Sequence, residues 1–115
     1  MQTKSDLFSS DLVYLAEAAK ALSHPARLKI LRVLADHDTC FCGDIVEKLP
    51  LAQATVSRHL KALKDAGLIT LTTDGPRSCY CLDVAALEAL DEQVDDFFDT
   101  VLDPAATEHA SGTDR

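Results

Sequence analysis

A mostly helical α+β domain carrying one small β-hairpin is what this 115-residue sequence predicts. Three observations lead there. Leucine-rich stripes recur at helical spacing through the first half of the chain, two β-branched or alternating runs flank "DGPR", and helical periodicity resumes at Val84. The length suits one domain with one core, and a hydrophobic content of 47% is normal for a globular chain. Residues 1–102 are expected to form that domain, and the acidic stretch 103–115, "DPAATEHASGTDR", is expected to be a disordered tail.

The elements follow in order. Leu7, Leu12, Leu15, Ala19 and Leu22 recur near helical spacing, which predicts a first helix over 6–22. "SHPARLKILRVLADH" opens a second, with Ser23 as N-cap, Pro25 in the tolerant first turn, and Leu28, Ile30, Leu31 and Leu34 as the buried stripe. "CGDIVEKL" reads as a short third helix ended before Pro50. A tight turn leads to a fourth, "QATVSRHLKALKDAG", closed by Gly67 as a left-handed cap. "LITLTT" and "SCYCLDV" form the hairpin. A fifth helix starts at Val84, with Leu87, Leu90, Val94, Phe97 and Val101 spaced 3, 4, 3, 4, the interval of a coiled-coil seam.

Composition excludes some function classes. No apolar run is long enough to span a membrane, and "MQTKSDLFSSDLVYL" lacks the basic start and apolar block of a secretory signal, so a cytoplasmic protein without a membrane partner is expected. No nucleophile and base pair is legible, which argues against an enzyme. The net charge of -8 weighs against a nucleic-acid partner until its distribution is read. Ten of the 19 acids fall in 83–115 beside Arg115 alone, which leaves nine acids and ten bases in the first 82 residues. The acidity is C-terminal, and a solvated outer helix face with a tail accounts for it.

Two helices joined by a tight turn and followed by a hairpin make a winged helix-turn-helix, whose second helix enters the major groove. On that helix Val56, Leu60 and Leu63 share an inner face, while Gln53, Ser57, Arg58, Lys61 and Lys64 lie on or near the outer one. Gln and Arg can reach base edges, and Ser and Lys can hold phosphates. Thr55, His59 and, on the hairpin, Arg77 complete the expected DNA-contact set. His24, His37 and His59 are scattered along the chain, which fits capping, surface or phosphate-contacting roles rather than metal ligation.

"ALSHPARLKILRVL", "CFCGDIVEKL", "ATVSRHLKALKDAGLI" and "DGPRSCYCL" together resemble the ArsR/SmtB family of bacterial metal-responsive repressors over residues 12–102. "VSRHLKALKDAGLI" resembles that family's recognition helix, and "CFC" resembles the "CVC" signature of its arsenite and cadmium sensors. The resemblance implies a homodimer built on the first and fifth helices, through Leu12, Leu15, Leu87, Leu90, Val94, Phe97 and Val101. It also implies a palindromic double-stranded operator from which a ligand releases the protein. The chain departs from the family in three respects, one being that the N-terminal cysteine used by some of its cadmium and lead sensors has no counterpart here. Ile45 stands where the best-known arsenite sensors carry a third cysteine, and 83–102 lacks the histidine that the family's interfacial zinc site needs, His109 lying in the tail.

The four cysteines form two Cys-x-Cys pairs, Cys40 with Cys42 and Cys79 with Cys81. In winged-helix folds the extended segment before the third helix pairs with the second wing strand, which would lay "TCFC" beside "SCYC". Strand side chains alternate, so each pair shares one face, and coincident faces would let four thiolates converge on one soft ion. Trivalent arsenic or antimony as inducer would use three of them, whereas cadmium or zinc would use four. No obligatory cofactor is implied. Cys42 is also expected at a helix start, where the dipole favours its thiolate. The same cysteines could instead sense oxidants or reactive sulfur as cross-strand disulfides.

Overall fold

The computed structural model describes residues 7–103 and 105. Its elements run α1 (Ser10–Ala21), α2 (Pro25–Asp36), β1 (Cys40–Cys42), a 3-10 helix (Ile45–Lys48), α3 (Gln53–Asp65), β2 (Ile69–Asp74), β3 (Arg77–Leu82) and α4 (Val84–Leu102). The three strands form one antiparallel sheet in the order β1-β3-β2, so β2 and β3 are the wing and β1 is its third strand. This is a winged helix-turn-helix. The expected tail lies outside the described residues except for Asp103 and Ala105, as does residue 6 at the expected start of the first helix. Among the described residues no helix is long and apolar enough to cross a membrane.

Local chemistry sets most boundaries. A residue before proline is driven to extended backbone, and His24, at φ -141° and ψ 137°, is therefore the N-cap of α2. Its Nδ1 accepts the Ala26 N–H at 2.9 Å. Ser23, expected in that role, instead donates its hydroxyl to the Lys20 carbonyl at the end of α1, at 2.6 Å. At the end of α3, Gly67 has φ +80°, its N–H donates to the Lys64 carbonyl, and the Leu68 N–H donates to Leu63. That is the paired bonding of a Schellman cap, with glycine at the left-handed position. The wing turn places Gly75 at φ +63° before Pro76, the sign order of a type II′ hairpin turn.

The third expected helix is reduced to a single 3-10 turn. Gly43 has φ +146°, Asp44 then caps with its carboxylate on the Val46 N–H at 3.1 Å, and Leu49 is extended before Pro50. Four residues remain between those limits, too few for a regular helix. Cys42 consequently lies in β1 rather than at a helix start. The expected activation of its thiol by a helix dipole has no basis in this fold.

The core joins every helix to the inner face of the sheet. Ile30 and Leu34 from α2, Val56 and Leu63 from α3, and Leu68 and Ile69 at the start of the wing are fully buried. Phe41, Tyr80 and Leu82 cover this cluster from the sheet, and Ala18 and Ala21 of α1 with Leu90 of α4 close its far side.

Candidate nucleic-acid interface and thiol site

The pattern read on α3 is realised. Val56, Leu60 and Leu63 are buried, whereas Gln53, Ser57, Arg58, Lys61 and Lys64 are exposed and Thr55 is half-buried. Arg77 is exposed at the start of β3, so the wing carries a cation on the sheet's free end. A groove between α3 and the wing is lined by Ser57, Leu60, Lys61, Lys64, Leu71 and Tyr80. Leu71 and Tyr80 are direct cross-strand partners, a pairing for which strand alternation is the sequence signal. Lys61 donates to the Asp65 carboxylate at 2.7 Å, and this bond holds that carboxyl below its usual range. Both groups are well exposed, so the pair contributes little to the fold.

His59 does not belong with the groove-facing set. It is 8% exposed and turned toward the base of α2. Arg27 donates its Nε–H to His59 Nδ1 at 3.1 Å, and the His24 ring lies 4.3 Å away, centre to centre. Helical geometry puts residue 59 one turn from Val56 and Leu63, so it shares their inward face. Burial, reinforced by the positive fields of His24, Arg27 and Arg58, holds its imidazole below the usual histidine range.

The expected dimer seam also divides. Leu12, Phe97 and Val101 are exposed, and Leu15, Leu87 and Val94 are half-buried. Leu90 is 5% exposed and packs within its own core, so it is unavailable to a second chain. A stripe at spacing 3 and 4 has to serve the helix's own domain as well as its exterior, and at Leu90 the domain prevails. An apolar cleft remains between α1 and α4, lined by Leu12, Leu15, Ala16, Val94, Phe97 and Phe98 among others. Phe98, half exposed, is an addition that the seam did not include.

The cysteines meet across the sheet as the pairing of "TCFC" with "SCYC" requires. Cys40 is the partner of Cys81 and Cys42 of Cys79, with Cα separations of 4.0 and 4.1 Å, and each pair is a disulfide. The Leu82 N–H donates to the Thr39 carbonyl at 2.7 Å, which makes 39 with 82 a hydrogen-bonded pair. Alternation then puts both cysteine pairs at non-hydrogen-bonded positions, where opposed strands come closest. Phe41 and Tyr80 point to the core, so the intervening cysteines occupy the opposite face, beside Thr70 and Thr72. Cys79 on the central strand is 6% exposed, whereas Cys40 at the sheet edge is open to solvent.

One short segment delivers Cys40 to this register. Asp38 and Thr39 both have positive φ, 58° and 78°, and the Thr39 N–H donates to Leu34 at 2.9 Å to cap α2. Aspartate tolerates that region, but a β-branched threonine rarely enters it. With the sulfurs bridged, no group of three or more His, Cys, Asp or Glu among the described residues can hold a metal ion. Reduction would free four thiols on one face, as two dithiol pairs offset by two residues, or about 7 Å, along the strands. A soft ion fits such donors, and it requires the reduced form.

Comparison with known proteins agrees with this architecture. A helix-turn-helix domain model matches residues 22–72. The arsenical resistance operon repressor of Staphylococcus xylosus is 35% identical over 81 residues, which cover 70% of this chain and 77% of that protein. The arsenical resistance operon repressor of Staphylococcus aureus is 38% identical over 74 residues, 64% of this chain and 70% of its own. An ArsR-like transcriptional regulator from Rhodococcus sp. RHA1 superposes with a TM-score of 0.65 at 24% identity, over 87% of this chain and 94% of its own. A homodimeric winged helix-turn-helix DNA-binding domain from Mycobacterium bovis superposes at 0.57 with 29% identity, over 100% and 98%.

Proposed function

This chain belongs to the ArsR family of transcriptional repressors, and from that premise we propose that it binds double-stranded operator DNA as a homodimer and leaves it when a thiophilic ion occupies its cysteines. Arsenite is the first choice of ion, with antimonite, cadmium and zinc as alternatives. One observation carries the reading: all four cysteines lie on one face of the sheet that forms the wing. The names of the staphylococcal relatives, both arsenical resistance repressors, support arsenite. The cytoplasm is the setting in which the thiols would be kept reduced.

Gln53, Ser57, Arg58, Lys61 and Lys64 present the polar face of α3 to the groove, and Arg77 brings a cation from the wing. Leu12, Leu15, Phe97, Phe98 and Val101 supply the apolar surface for the second chain. Cys40 and Cys42 from β1, with Cys79 and Cys81 from β3, would hold the ion, which supplies a cross-link between strands that reduced thiols lack. Such a link need only favour a wing position unsuited to DNA, since a coupling of about 1 to 3 kcal/mol changes affinity roughly 5 to 150 fold. The test is a titration of the reduced protein with arsenite, followed by thiol count and by DNA binding. Thiols should disappear and DNA should be released together, and release without thiol loss would refute the site.

A second reading is favoured by the bridged sulfurs themselves. Each dithiol can lose two electrons and two protons to a peroxide, which is reduced to water and the corresponding hydroxyl product as the disulfide forms. The oxidised and reduced proteins would then differ in operator affinity with no metal present. Equal affinities in the two states would leave only the ion-sensing reading.

A further inference from the structure

We infer that Arg27 is a positioning residue for operator binding, which fixes the reading helix α3 to the end of α1 through His59. The inference rests on the DNA-binding reading above and adds a residue that lies off the groove face. Arg27 stands in the first turn of α2 and reaches in two directions. Its Nε–H donates to His59 Nδ1 of α3 at 3.1 Å, and its terminal NH1 donates to the carbonyls of Lys20 at 3.1 Å and Ala21 at 3.5 Å. Those carbonyls belong to the last turn of α1, the helix whose Leu12 and Leu15 line the dimer-facing cleft. A single guanidinium thus ties the helix expected to meet the second chain to the helix expected to meet DNA.

The planar fork of arginine suits this task, because its donors diverge at fixed angles from separate nitrogens, whereas a lysine carries all of its donors on one nitrogen. His59 is the sole buried polar side chain among the described residues and accepts at Nδ1, so the link needs a neutral imidazole with its proton on Nε2. The charged or titratable groups bearing on it are His24 at the cap of α2, Arg27 in the first turn of α2, and Arg58 on α3 itself. All three are cationic when charged, and protonation of His59 would remove the acceptor and add a like charge beside the guanidinium. The orientation of α3 relative to the dimer axis, which sets half-site spacing, should therefore depend on this junction.

The experiment uses the full-length reduced protein and a duplex that wild-type protein selects from a random-sequence pool. Arg27→Ala should remain folded and dimeric yet bind the duplex about tenfold or more weakly, the scale of one lost charge-assisted hydrogen bond. In His59→Asn the amide oxygen can take the place of Nδ1, so this variant should bind well at neutral pH and lose less affinity than wild type as pH falls. His59→Ala should not be rescued. Hydrogen exchange separates the failure modes: if no duplex is selected, the DNA-binding reading falls and with it the operator role of Arg27, whereas α3 amides that keep their protection in Arg27→Ala would overturn the link between α1 and α3 itself. Wild-type affinity in a folded Arg27→Ala, or an unchanged pH dependence in His59→Asn, would overturn the inference.

Discussion

Cys42 of β1 and Cys79 of β3 face each other as direct cross-strand partners, with Cα atoms 4.1 Å apart, and Cys40 repeats the relationship with Cys81. An edge strand of the sheet, β1, is thereby fastened to the central strand, β3, which belongs to the wing. β1 also continues from the Asp38 and Thr39 cap of α2, so the bridged strand joins the wing to the end of that helix.

The two bridges close nearly the same loop, with sequence separations of 41 and 37, and their stabilising effects should overlap. Closing the first such loop is worth about 4 kcal/mol in chain entropy, whereas the second then closes a small ring worth about 2. Cys40→Ser with Cys81→Ser should therefore cost about 2 kcal/mol in urea unfolding of the oxidised protein, and removal of all four about 6. Equal successive losses would mean that the bridges constrain the unfolded chain independently.

Leu90 and Val101 lie on one predicted seam but should fail differently. Leu90 is 5% exposed and Val101 54%. Leu90→Ala opens a cavity in the protomer core and should cost about 2 to 5 kcal/mol of stability. Val101→Asp should leave the protomer folded and weaken the dimer, because it places a charge in the apolar contact. Sedimentation and thermal unfolding on both variants would separate these outcomes. A stable, dissociated Leu90→Ala would reverse the assignment.

Periodicity made the helices legible, and the turn residues made the hairpin legible. The cysteine register was legible only in part. Alternation puts the two cysteines of each motif on one face, but whether the two faces coincide depends on register. The pairing of 40 with 81 and 42 with 79 makes them coincide. The inward position of His59 is not legible in the sequence, because a polar side chain on an amphipathic helix reads as outward and its partner Arg27 lies 32 residues away. The core position of Leu90 is not legible either, because a 3 and 4 spacing does not say which neighbour the stripe meets. The short third helix failed where Gly43, the Asp44 cap and Pro50 act together on eight residues, each signal being weak alone.

Arg58 is exposed on the outer face of α3 and should serve DNA without serving the fold. Arg58→Ala is expected to lose about 1 to 3 kcal/mol of operator binding, the worth of a bidentate base contact, at unchanged melting temperature. Fluorescence anisotropy and calorimetry together check this. Undiminished affinity would remove Arg58 from the reading set.

Stability should fall in mildly acid solution through His59. Its folded-state pKa is depressed, first by burial and then by His24, Arg27 and Arg58, so the fold favours the neutral ring. The resulting contribution is fully present above the unfolded-state histidine pKa and is lost as pH falls through the lower folded-state value. Urea unfolding from pH 8 to pH 5 should therefore show a decline that His59→Asn reduces. A parallel decline in both proteins would place its cause elsewhere.

The most direct measurement is arsenite-driven release of a selected duplex from reduced wild type and from the Cys79→Ser, Cys81→Ser double variant, followed by anisotropy. Serine keeps the size of cysteine but not its soft donor atom, and neither position lies on α3, so both proteins should bind the duplex alike without arsenite. Arsenite should then release the wild type and leave the variant bound. Release of both proteins at the same arsenite concentration would contradict a site shared between β1 and the wing.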